Sequence, residues 1–188
     1  MPAKNAGTGA LGIVGSPRRG GNTEALVDEV LTGAQEAGAS TDKLILSELR
    51  ISPCKACDSC RKTGACVQKD DMHQVLALME QSQVWILGTP VYWWGPSAQF
   101  KAFLDRWYGA KRAVFRARRV VLVVPLGDES SEIARHTVGM LEDVFEYLGL
   151  THVATILSPG VERAGEVRKH TKVMAEARQA GSRAVEEK

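Results

Sequence analysis

Five short apolar runs, each followed by a segment of helical periodicity, leave this chain few ways to fold. The runs lie at about 11–15, 43–46, 84–88, 120–124 and 151–157. The third, Val84-Trp-Ile-Leu-Gly88, is apolar almost throughout, as in a strand covered on both faces. Between them, apolar residues recur at helical spacing: Val27, Val30, Leu31 and Ala34 over 23–37, and Met72, Val75, Leu76 and Met79 after Asp70-Asp71. Phe100, Phe103, Leu104 and Trp107 follow in the next helix, and Leu141, Val144, Phe145 and Leu148 over 131–148. Gly38 and Gly149 stop two of these helices, and a polar helix from about residue 165 completes the chain. Short connections and right-handed crossovers turn this alternation into an α/β doubly wound, five-stranded parallel sheet with helices on both faces. Its 188 residues suit one domain, 1–188, with a flexible tail at 1–9 and a cysteine-rich insertion at 51–70.

Composition narrows the classes of function. The net charge is +2 and the longest basic cluster is Arg116-Ala-Arg118-Arg119, ahead of the fourth strand, where it reads as a solvated cap. That gives no nucleic-acid signature. No apolar run approaches membrane-spanning length, and the first nine residues carry no apolar segment that could serve as a secretion signal. The expected compartment is the cytoplasm, where the four cysteines stay reduced unless they hold a metal or turn over.

The ligand of such a sheet sits beyond the carboxyl ends of the strands, where the strand order reverses. For the order 2-1-3-4-5 that crevice lies between strands 1 and 3. The first strand ends in Ser16-Pro-Arg-Arg-Gly-Gly-Asn-Thr23 and opens a helix. A helix N-terminus offers unpaired N–H groups and the positive end of the dipole, so this junction suits an anion. Ser16, Asn22 and Thr23 add donors, Arg18 or Arg19 adds charge, and Gly20 and Gly21 admit a close backbone. It contains neither GxGxxG nor GxxxxGK[ST], which excludes the dinucleotide fingerprint and the P-loop. The plainer alternative is an ordinary strand–helix connection with solvated arginines. The loop after strand 3 carries Pro90, Val91, Tyr92, Trp93, Trp94 and Gly95, and the loop after strand 4 carries Leu126, Gly127 and Asp128. Together these loops would hold a flat ring with a phosphorylated tail. For Tyr92, Trp93 and Trp94 the alternative is core or subunit packing.

SPRRGGNT and TPVYWWGPSAQFKAFLDR closely resemble the NAD(P)H-dependent FMN reductases of the flavodoxin-like superfamily. The resemblance runs from strand 1 to the helix after strand 3 and on toward strand 5. It implies that Ser16, Arg18, Gly21, Asn22 and Thr23 hold the FMN phosphate, that Pro90 to Gly95 line the ring, and that Gly127 joins them. NAD(P)H would be the co-substrate, a quinone-like or other small molecule the acceptor, and the assembly a homodimer or homotetramer.

All four cysteines, Cys54, Cys57, Cys60 and Cys66, fall in the insertion at C-x2-C-x2-C-x5-C spacing. Zinc sites usually set two CxxC pairs far apart, whereas successive x2 spacings are typical of a [4Fe–4S] cluster. The x5 step departs from the bacterial ferredoxin run, and zinc or free thiols remain alternatives. The spacing, with Asp70-Asp71 behind it, is similar to that of the iron–sulfur flavoproteins, a branch of the same group. That likeness implies a cluster exchanging electrons with a flavin across a subunit interface. Chemistry would then belong to the cofactors, with no catalytic acid or nucleophile required. Asp128 and His136 are candidates for assisting protonation, or are simply solvated. Two other classes fit the same fold: a non-enzymatic flavodoxin-like electron carrier, against which the slightly basic charge argues, and a thiol- or zinc-based redox sensor.

Overall fold

The computed structural model describes residues 8–187. In chain order the elements are β1 Gly9–Val14, α1 Asn22–Glu36, β2 Ser40–Ile45, α2 Ser59–Thr63, α3 Met72–Gln81 and β3 Val84–Gly88. There follow the two-residue strands β4 Val91–Tyr92 and β5 Gly95–Pro96, then α4 Ala98–Asp105, β6 Arg119–Pro125, α5 Arg135–Leu148, β7 Thr151–Ser158 and α6 Thr171–Glu186. The main sheet runs β2-β1-β3-β6-β7, all parallel. With the β4–β5 hairpin set apart, this is the expected order 2-1-3-4-5. Residues 1–7 of the expected tail lie outside the described residues, and Gly9 already belongs to β1.

Strand residues alternate between two cores. Leu11, Ile13, Trp85, Leu87, Val120 and Leu122 face α3, α4 and α5; Ala10, Val14, Val84, Ile86, Val121 and Val123 face α1 and α6. That alternation within continuous apolar runs is what burial on both faces requires. On the second face α1 and α6 touch backbone to backbone. A Cβ on Gly33 would stand 1.8 Å from the Arg178 carbonyl oxygen, and one on Gly181 would stand 1.9 Å from that of Val30.

Two basic residues read as a solvated cap are used inside the molecule. Arg118 donates to the carbonyls of Val114 and Glu80 at 2.9 and 2.8 Å, and Arg119 donates to that of Val185 at 3.1 Å. Among the described residues no helix is long and apolar enough to cross a membrane.

Candidate active site

The loops at the carboxyl ends of β1, β3, β6 and β7 enclose a cleft of about 380 Å³. Of the residues expected there, Ser16, Arg18, Asn22, Thr23, Pro90, Val91, Tyr92 and Gly127 line it. Gly21 stands behind them as the N-cap of α1, in extended conformation and with its N–H on the Arg18 carbonyl at 3.2 Å. No side chain caps α1, so its first-turn N–H groups are left for a ligand at the cleft. Arg18 supplies the cleft's cation. Arg19 turns away to Glu24 and Glu48, at 3.5 and 3.2 Å.

Backbone hydrogen bonds sew the loops together. The Gly15 N–H donates to the Gly88 carbonyl at 2.7 Å, and the Ser97 hydroxyl donates to the Gly15 carbonyl at 2.5 Å. Ser97 also accepts from the Phe100 N–H, so one buried hydroxyl caps α4 and ties down the β1 loop. Gly15 has no room for a side chain here: a Cβ would meet the Gly88 oxygen at 2.8 Å.

Asn22 stands at the cleft as expected, but its side chain is turned to protein partners. Its side-chain NH2 donates to the carbonyls of Val161 and Arg163 at 3.0 and 2.9 Å, and its side-chain oxygen accepts from the Val167 N–H at 3.1 Å. The amide is therefore engaged by the loop after β7, and only the backbone N–H of Asn22 is left facing the cleft end of α1. That loop supplies two cleft residues that sequence reasoning missed, Val161 and Glu162. Arg18 reaches across to the Glu162 carbonyl at 2.7 Å. Pro125 and Leu126 complete the wall.

Glu24 organises the other side of the same loop. Burial pushes its carboxyl up, but hydrogen bonds from Lys43 and the Gly20 N–H outweigh this and hold it below the usual range. Lys43 in turn bridges Glu24 and Asp28 at 2.9 and 2.7 Å.

Beyond Tyr92 the chain leaves the cleft. Trp93 and Trp94 form the tip of the β4–β5 hairpin, both with positive φ, 50° and 60°. This is the pattern of a type I′ turn, where Asn-Gly is the usual pair. Trp93 is 91% exposed and Trp94 45%. The Trp94 carbonyl accepts from the buried Thr137 hydroxyl at 3.0 Å, which fastens the hairpin to α5. Gly95 pairs with Tyr92 across the hairpin. Asp128 and His136 are exposed, as their solvated reading expects.

The insertion forms a second site. Cys54, Cys57, Cys60 and Cys66 line one hollow, floored by Arg106, Tyr108 and Gly109. Ala56 and Asp58, on either side of Cys57, have φ of 50° and 53°, so the chain winds tightly there. Cys57 is exposed, and hydrogen bonds from the Ser59 side chain and N–H hold its thiol below the ordinary range. Among the described residues no three His, Cys, Asp or Glu side chains stand close enough to share one metal ion. A single zinc would need its sulfurs about 3.8 Å apart, given Zn–S bonds of about 2.3 Å. A four-iron cluster puts each thiolate on a separate iron, and four thiols spaced around one hollow fit that donor set.

Asp70 and Asp71 close the base of the insertion. Asp71 accepts from the Arg50 N–H at 2.7 Å, and Asp70 from the Ser52 N–H at 3.0 Å. Asp70 also takes a bidentate fork from Arg106 at 2.6 and 3.1 Å. Burial pushes the Asp70 carboxyl up, but Arg106 and the Ser52 N–H outweigh it and hold it low. Arg106 is a third residue that sequence reasoning missed, although it ends the quoted motif. It follows α4 directly, and Ser97 caps the opposite end of that helix at the cleft. About 12 Å of helix therefore links the two sites.

The sequence profile of the NADPH-dependent FMN reductases matches residues 9–160. An iron–sulfur flavoprotein of Methanocaldococcus jannaschii is 42% identical over 96 residues, 51% of this chain and 50% of that protein. A second iron–sulfur flavoprotein of the same organism is 34% identical over 134 residues, 68% of this chain and 67% of that protein. The matches cover about half the length of most of the curated relatives. Among solved structures, an NAD(P)H:quinone oxidoreductase from Methanothermobacter marburgensis superposes with a TM-score of 0.72 at 18% identity, covering 94% of this chain and 96% of that one. The fold is thus shared with that enzyme, and the sequence match across β1 to β7 places this chain in the NADPH-dependent FMN reductase family.

Proposed function

We propose that this chain is an FMN-dependent oxidoreductase that takes electrons from NAD(P)H and delivers them to a quinone-like or other small-molecule acceptor. The observation that carries this reading is the single cleft joining an uncapped helix N-terminus and Arg18 to the apolar wall of Pro90, Val91 and Tyr92. Ser16, Thr23 and the first-turn N–H groups of α1 would hold the phosphate, and the 90–92 segment the ring edge. When bound, FMN supplies hydride acceptance and the option of one- or two-electron release. The chain's own part is to orient the ring and to fix the phosphate. Family membership and the shared fold support this assignment.

Cys54, Cys57, Cys60 and Cys66 would hold a [4Fe–4S] cluster, a one-electron relay beside the flavin. Two relatives that carry the name iron–sulfur flavoprotein support it. The exposed Trp93 and Trp94 would be covered by a second copy of the chain in a homodimer or homotetramer. The thiol-rich loop fits a reducing compartment, the cytoplasm.

The test is anaerobic purification followed by addition of FMN and NAD(P)H with a quinone. Quenching of flavin fluorescence and multiple-turnover oxidation of NAD(P)H are expected. A protein that binds FMN but turns over fewer than a few equivalents would be an electron carrier, and one that refuses FMN overturns the reading. A thiol redox sensor is the second reading, favoured by the exposed Cys57 with its lowered thiol. Redox-dependent disulfide formation without flavin or iron would select it.

A further inference from the structure

A buried arginine needs a reason, and Arg106 has one that its partner Asp70 does not exhaust. The residue is 2% exposed. Beyond the Asp70 fork, its guanidinium donates to the Ser52 carbonyl at 2.8 Å and to the Cys66 sulfur at 3.4 Å. Its Nε is buried with no partner among the described residues. All of its hydrogen-bond partners lie in the cysteine insertion or its base. The neighbouring backbone is equally close to the sulfurs' side of the hollow: a Cβ on Gly109 would stand 3.3 Å from that of Cys66 and 3.5 Å from that of Cys60.

An ion pair needed only to close a loop would be complete with Asp70. Burying a guanidinium is costly, and its geometry must then satisfy several acceptors at once. Here the planar fork holds Asp70 with one edge while a remaining N–H points at a sulfur, which a lysine could not do. An N–H donor and a nearby positive charge stabilise the more negative, reduced state of an iron–sulfur centre.

We infer that Arg106 is a positioning residue of the four-cysteine site: aimed by Asp70, it locks the insertion at Ser52 and Cys66 and places a cationic N–H on one cluster sulfur, raising the cluster's reduction potential. This rests on the cluster reading above.

Breaking the pair from one side would strand a buried charge, so the test removes both charges together. Protein carrying Asp70→Asn with Arg106→Met is reconstituted anaerobically with ferrous iron and sulfide beside wild type. Iron and acid-labile sulfide are counted after a chelator challenge. The one-electron reduction by dithionite is then followed by electron paramagnetic resonance. Circular dichroism and FMN stoichiometry check the fold. The expected result is unchanged helicity and flavin, several-fold less retained iron, and a remaining cluster at least tenfold harder to reduce, about 59 mV lower for one electron. Wild-type iron retention at wild-type potential overturns the inference. Wild type that takes up no iron overturns the cluster reading, and this with it. Should the double variant not fold, Arg106→Lys, which keeps the charge but loses the fork, is expected to lose iron several-fold faster under the chelator; loss at the wild-type rate overturns the inference.

Discussion

Asn22 makes three hydrogen bonds from a single buried amide, each to the loop that closes one side of the cleft. Asn22→Ala should therefore destabilise the fold by about 2–4 kcal/mol, from the lost bonds and the stranded carbonyls. Asn22→Asp should be worse, because it turns two donors into acceptors facing the Val161 and Arg163 carbonyls. Urea unfolding gives the first quantity, and FMN titration should show both variants binding more weakly as the loop loosens. Glu24 offers a test in pH. Its folded carboxyl is held below its ordinary 4.5, so its stabilisation is fully present above that value and fades as pH falls through the lower folded one. Glu24→Gln should be about 1–2 kcal/mol less stable than wild type at pH 7. The gap should close as the pH falls below the ordinary carboxylate value and through the lower folded one, as read by unfolding midpoints across pH. Most of the residues expected at the cleft line it, while Trp93, Trp94 and Gly95 do not, and the duty of Asn22 was not legible. A donor beside a helix N-terminus looks the same whether its acceptor is a phosphate or a carbonyl 139 residues away. Arg106 was hidden in the same way: its place beside the apolar stripe of α4 was visible, while its partner Asp70 lies 36 residues earlier.

At the scale of elements, α1 and α6 meet at glycine on both sides. Two opposing effects bear on Gly181→Ala. Helix propensity alone would stabilise it by about 1 kcal/mol. Against that, the new Cβ would sit 1.9 Å from the Val30 carbonyl oxygen, which is backbone and cannot rotate aside. Overpacking of this kind costs about 1–3 kcal/mol or more, so the contact wins. A lowered thermal midpoint is expected, and an unchanged or raised one would mean that the two helices slide apart without cost. Strand order and the helical stripes followed from apolar periodicity, which is a local property and so readable. The loop after β7 did not, because Ser158-Pro-Gly-Val-Glu162 carries no charge pattern or motif of its own, and its contacts to Arg18, Asn22 and Leu126 are all distant in sequence. The insertion was readable as a cysteine cluster, yet its closure by Asp70 and Asp71 was not, because the Ser52 and Arg50 N–H groups they hold lie 18 and 21 residues earlier.

For the molecule as a whole, the hairpin tip sets two demands against each other. Trp93 and Trp94 hold left-handed backbone conformations that cost a bulky residue about 1–2 kcal/mol each, and one of the two indoles is almost fully in water. Among the described residues the Thr137 hydroxyl on the Trp94 carbonyl and the contact between the two indoles offset part of that cost, and the proposed contact with a second copy would supply the rest. Trp93→Asn with Trp94→Gly should raise the thermal midpoint by about 4–8 °C. The same change should lower the mass seen by light scattering toward that of one chain. A variant that gained no heat resistance, or that assembled as before, would contradict this account. On that proposal, a breeder selecting this protein for endurance alone would discard the very residues that let it work in company, and heat tolerance and usefulness would be rival goals at this one turn.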